Sequence, residues 1–143
     1  YYLSKCFPER SNLFYGEKDF NCKTFNKFDL IFMPSYEIEK LENNTVDLFI
    51  NKNSLGEMEA ETVKNYLHYI CKSTNYLFHL NHDNFRNSFE KNNFSLLSRE
   101  YPIPNEEFKL LIRYPDLGHF IGKGRIDFFQ DIFFYLYKKK YKN

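Results

Sequence analysis

The chain has 143 residues and a formal net charge of +1, long enough for one hydrophobic core and without a global field that would select nucleic acid or anionic lipid. Hydrophobic residues make up 43% and charged residues 27%, the balance of a globular domain, and no run approaches the roughly 18 apolar residues of a membrane span. Aromatic residues reach 20%, with 17 Phe, 12 Tyr and no Trp, so aromatic burial is expected to dominate the core.

Cys6, Cys22 and Cys71 are odd in number and widely spaced, which predicts reduced, mostly buried thiols rather than a disulfide framework or a zinc site. The opening YYLSKCFP has neither an apolar signal region nor a small-residue cleavage site, so a soluble, cytoplasmic protein is expected. It reads as the end of a helix stopped by Pro8, and the chain is expected to begin inside a longer product.

Asn12–Tyr15 is a short strand candidate and Phe28–Met33 a stronger one, closed by Pro34. After a polar stretch, Val46–Asn51 is a nearly continuous apolar run, the pattern of a strand covered on both faces. From Glu57 to Ser73, the apolar residues Val63, Tyr66, Leu67 and Ile70 recur at helical spacing. Ser54, three residues before Glu57, predicts a capping box and a helix start there. Tyr76–Asn81 follows as another strand, which completes a βαβ unit and implies parallel pairing. Asn84 to Glu107 is polar and irregular, with a partial helix expected over Phe85–Lys91. Phe108–Tyr114 and Ile132–Tyr137 read as two late strands. The intervening segment carries glycines at 118, 122 and 124, and Lys138, Lys139 and Lys140 read as a solvated end.

The pattern predicts an α/β fold: a single domain over residues 1–143 with a mainly parallel sheet and a late antiparallel strand pair. Sheets of this kind place ligands beyond the carboxyl ends of their strands. Those ends are Met33 to Ser35, Asn51 to Ser54, and Asn81, His82 and Asp83, all rich in small polar groups. Glu57 can serve as a general base or as the capping partner of Ser54. His82 belongs to the residue type that titrates near neutrality, and equally suits a polar surface loop. His119 is a weaker candidate in the glycine-bearing segment.

The run VDLFINKNSLGEM, followed by ETVKNYLHYI and NYLFHLN, resembles the sugar O-methyltransferases. Upstream, YYLSKCFP and FDLIFMPSYEIEKL fit the same family, so the likeness covers roughly Tyr1 to Asp83. The resemblance implies a Rossmann-like enzyme dependent on S-adenosylmethionine that methylates a sugar hydroxyl. It makes Glu57 and His82 the candidate catalytic residues and Asn51 the candidate cofactor contact. Ser54, Asn81 and Asp83 would be substrate contacts, and no metal is implied.

The glycine-rich turn after a first strand, and the acidic residue ending a second, are not in this sequence. The chain is therefore expected to be the carboxyl-terminal part of the fold, to lack the amino-terminal strands, and to bind S-adenosylmethionine weakly or not at all alone. Its exposed sheet edge would be covered by the missing half or by a second copy. A competing reading is a catalytically inactive interaction module of the same fold. A third is a lipid- or nucleic-acid-binding module on the aromatic and basic stretch from Phe128 to Lys142, against which Asp127, Asp131 and the neutral overall charge weigh.

Overall fold

A computed structural model describes residues 2–18, 21, 25–90, 93–118 and 131–141. The glycine-bearing segment with His119, Gly122 and Gly124 falls outside them, as does Cys22. The chain forms two compact units, Tyr1–Glu42 and Asn43–Asn143, where the sequence reading treats it as one domain.

In the first unit, helix α1 (Tyr2–Cys6) ends just before Pro8, which cannot donate a helical hydrogen bond. Strands β1 (Asn12–Phe14) and β2 (Leu30–Phe32) pair in parallel. The Phe14 and Phe32 rings, opposite each other in the register, stack with centroids 4.9 Å apart. The turn after β1 uses Gly16 at φ 88°, a conformation that costs glycine little. Before β2, Asp29 accepts from the backbone N–H and hydroxyl of Ser11 at 2.9 and 2.8 Å. These two bonds, with Arg10 nearby, hold its carboxyl below the usual carboxylate range.

The second unit is built on the βαβ crossover. Strand β3 (Val46–Lys52) runs parallel to β4 (Thr74–His82), with Asn51 opposite His79, and helix α2 (Ala60–Ser73) connects them. Val63, Leu67 and Ile70, spaced to share one helical face, are fully buried, as is Leu77 of β4. Strands β5 (Phe108–Pro115) and β6 (Ile132–Lys139) complete a four-stranded sheet in the order β3-β4-β6-β5. The last strand lies between β4 and β5 and is antiparallel to both. The architecture is thus mixed α/β, with a small parallel sheet and a mixed one, as the sequence pattern predicts in outline.

Against the expectation of an aromatic core, the buried hydrophobic residues among those described are mainly Leu, Ile and Val, with Tyr101, Phe108 and Tyr135 beside them; the aromatic rings gather around β4. His79 is fully buried and stacks on Tyr135 at 4.8 Å, with Tyr101 at 5.0 Å and Tyr137 at 5.9 Å. Neither ring nitrogen has a protein partner, and burial pushes its pKa down to about 3, so the ring packs as a neutral aromatic. Cys71 is buried and its thiol is pushed up to about 12 by that burial, whereas Cys6 is exposed, against the expectation of mostly buried thiols.

Three local expectations are corrected. Helix α2 starts at Ala60, because Met58 and Glu59 are extended and Ser54 and Glu57 make no capping box. No α-helix forms over the described part of Phe85–Lys91, where only Glu90 is helical, in a 3₁₀ turn. There Asn84 and Phe85 donate their backbone N–H groups to Asp131, and Asn87 exchanges bonds with Ser95. Finally, Lys138 and Lys139 belong to β6 rather than to a solvated end. Lys139 Nζ donates to the carbonyls of Cys71 and Lys72 at 2.7 and 3.2 Å, which satisfies the carboxyl end of α2. Among the described residues no helix is long and apolar enough to cross a membrane.

Candidate functional site

The parallel pairing of β3 and β4 brings their carboxyl ends to one rim, and a lattice of side-chain amides ties the following loop to it. Asn51 Oδ1 accepts from Asn81 Nδ2 at 3.0 Å and from the Leu55 backbone at 3.4 Å, while Asn51 Nδ2 donates to Ser54 Oγ. Asn81, fully buried, accepts the Gly56 N–H on Oδ1 at 3.2 Å. On the far side Asn87 Nδ2 donates to the Gly56 carbonyl at 2.8 Å and to Glu57 Oε2 at 3.1 Å. Asn53 bridges strand and loop at φ 52° and donates its N–H to the Leu80 carbonyl; asparagine tolerates that left-handed backbone better than most residues.

Gly56 is required by proximity. A Cβ there would meet His82 Cδ2 at 3.1 Å, so any side chain at 56 displaces the imidazole. The absent side chain is what lets the 3₁₀ turn Leu55–Glu57 press against His82 and carry Glu57 to its ring. Glu57 Oε1 lies 3.4 Å from His82 Nε2. The other ring nitrogen, Nδ1, contacts Asp131 Oδ2. The three side chains differ in access: Glu57 is 57% exposed, His82 26% and Asp131 16%.

Asp131 precedes β6 and is held by several groups at once. Its Oδ1 accepts the N–H groups of Asn84 and Phe85 at 2.9 Å each and that of Asp83 at 3.2 Å. Burial alone would raise its pKa; the His82 bond and the two 2.9 Å backbone bonds outweigh it and hold the carboxyl below its ordinary value.

Of the six residues predicted for the site, Glu57 and His82 meet at the rim with reachable polar atoms. Asn51 and Ser54 are committed to each other and to the loop, so Asn51, expected to hold a cofactor, instead fixes the turn that presents Glu57. Asn81 is likewise a buried strut. Asp83, expected to face substrate, is fully buried. Its Oδ1 accepts from the Tyr135 hydroxyl at 2.9 Å and the Arg99 N–H at 3.0 Å, and its Oδ2 pairs with Arg113. Arg113 also donates to the Tyr135 hydroxyl at 2.8 Å and lies 4.2 Å over the Phe133 ring.

Sequence reasoning missed Asn87 and Asp131. The first sits in a stretch read as part helix, and the second is separated from His82 by the whole late half of the chain. An open cavity of about 820 Å³ lies at the opposite end of the sheet, among Asn44, Lys72, Asn75, Glu107, Lys139 and Lys140. Among the described residues no cluster of His, Cys, Asp and Glu could hold a metal ion.

No protein-family model matches the sequence, and no curated protein is detectably similar to it. Among solved structures, the chain is similar to the PH0226 protein from Pyrococcus horikoshii OT3, known from a crystal structure. The two share 10% sequence identity at a TM-score of 0.52, over 97% of this chain and 86% of that one. A likeness at that identity is one of fold, and with the sheet order described above it is consistent with a Rossmann-like arrangement.

Proposed function

We propose that the chain belongs to an S-adenosylmethionine-dependent O-methyltransferase acting on a sugar hydroxyl, with the Glu57–His82 rim as the side that receives the hydroxyl. The observation that carries this reading is the reachable imidazole of His82, set between two carboxylates beyond the ends of parallel strands. Supporting it are the resemblance of VDLFINKNSLGEM to that family and the late antiparallel strand pair that completes the sheet.

O-methylation requires a group that takes the hydroxyl proton as the new O–C bond forms. His82 can accept it, and Glu57, on the same side of the ring, can stabilise the imidazolium that results. S-adenosylmethionine supplies the methyl group in such a reaction. The rim carboxamides do not fit that group, because those of Asn51 and Asn81 are engaged internally. The rim residues fit the acceptor side alone.

The test is transfer of a labelled methyl group from S-adenosylmethionine to a panel of monosaccharides and glycoconjugates by the full-length protein. Labelled sugar ether is the expected product. A folded protein that labels no acceptor contradicts the reading. It would favour the second reading, an interaction module, which rests on Leu110, Leu111, Ile112 and Tyr114 standing 44, 43, 51 and 51% exposed along edge strand β5.

A further inference from the structure

We propose that Asp131 is a positioning residue that fixes His82 in the Nδ1–H tautomer, so that His82 Nε2 and Glu57 Oε1 form a two-acceptor seat for two adjacent hydroxyls of a polyol substrate. The inference rests on reading His82 as the proton acceptor, and it adds a residue and a geometry to that reading.

The argument starts from what a carboxylate can do. Asp131 Oδ1 accepts the N–H groups of Asn84 and Phe85 and shares that of Asp83 with the Asp131 backbone carbonyl, and Oδ2 faces His82 Nδ1. Every neighbour named is a donor, so the ionised carboxylate is the form this surrounding stabilises. A carboxylate only accepts; the ring nitrogen beside it must therefore carry the hydrogen. In a neutral imidazole that leaves a lone pair on Nε2, and the lone pair faces another acceptor, Glu57 Oε1, at 3.4 Å.

Two acceptors at that separation do not satisfy each other. A polyol does suit them, because two of its hydroxyls can donate one O–H to each. Glu57 is prevented from turning away by Asn87, which holds Oε2 at 3.1 Å and is itself anchored on the Gly56 carbonyl. When the hydroxyl at Nε2 reacts, its O–H bond breaks and an Nε2–H bond forms. The electron pair stays on oxygen, and the resulting imidazolium sits between two carboxylates.

The tautomer can be read directly by long-range ¹H–¹⁵N NMR on histidine-labelled full-length protein at pH 8, with the His82 signals assigned by their loss in His82→Gln. The wild type is expected to show Nδ1–H. In Asp131→Asn the amide oxygen can still accept the backbone donors while its NH₂ turns to His82 Nδ1, which forces the Nε2–H tautomer. Methyl transfer by that variant is expected to fall by about 10²–10⁴-fold in kcat, with KM for the acceptor little changed. A wild-type ring in the Nε2–H form, or doubly protonated at pH 8, overturns the proposal even if the variant does not fold. So does an Asp131→Asn protein with unaltered tautomer and turnover. If the wild-type tautomer is Nδ1–H and the variant flips it, yet the wild type methylates no sugar, the positioning role stands and the methyl-transfer reading alone is lost.

Discussion

Replacing Asp83 by Ala is expected to lower the unfolding free energy by about 2–4 kcal/mol, the cost of leaving two donors without their acceptor. The carboxylate is fully buried and is the shared acceptor for the Tyr135 hydroxyl, the Arg99 N–H and the Arg113 guanidinium. Its removal leaves the hydroxyl and the backbone N–H without their acceptor in a place water reaches poorly, which is the expensive outcome for hydrogen-bonding groups. Arg113 is less affected, because its side chain is 44% exposed and can turn to solvent. Asp83→Asn should therefore cost less than Asp83→Ala, since the amide oxygen can still serve Tyr135 and Arg99. Urea denaturation of the two variants checks both the size and the order. A loss under about 1 kcal/mol for Asp83→Ala would show that the network is not what joins β5 and β6 to the end of β4.

His82→Ala is expected to reduce methyl transfer by about 10²–10⁴-fold in kcat, the usual contribution of a positioned acid or base. The fold should survive, because the ring is part-exposed and sits at the rim rather than in the core. Glu57→Gln should reduce turnover less. The amide keeps an oxygen toward the seat but loses the charge that stabilises the imidazolium. Steady-state kinetics on the three proteins settle the order, and a His82→Ala enzyme with wild-type kcat would remove the imidazole from the chemistry.

The crossover at the heart of the second unit was legible because its signals are local. The apolar run at Val46, the helical spacing of Val63, Leu67 and Ile70 and the second run at Tyr76 specify strand, helix and strand without reference to the rest of the chain. Parallel pairing alone puts the carboxyl ends of both strands at one rim. What local pattern could not show was where side chains spend their hydrogen bonds. Ser54 and Glu57 have the spacing of a capping box, yet Ser54 accepts from Asn51, and Glu57 is drawn across to Asn87 and His82. Asp83 looked like a rim carboxylate until β5 and β6 delivered Arg113 and Tyr135 to it.

Asp131 is the sharpest case. Its role depends on β6 pairing with β4 so that Ile132 lies opposite His82, a long-range register that no short motif encodes. Lys139, read as a solvated tail, reaches the end of α2 for a related reason: β6 runs back along β4 to where the crossover helix finishes.

The claim on which the rest depends is that a sugar binds by adjacent hydroxyls to His82 and Glu57. The most direct measurement is a crystal structure of the full-length protein soaked with the sugar it methylates best. One sugar hydroxyl oxygen within hydrogen-bonding distance of His82 Nε2, with an adjacent one within that distance of Glu57 Oε1, is the predicted result. A sugar held instead in the lysine-lined cavity at the opposite end of the sheet, with the His82 rim untouched, would contradict it.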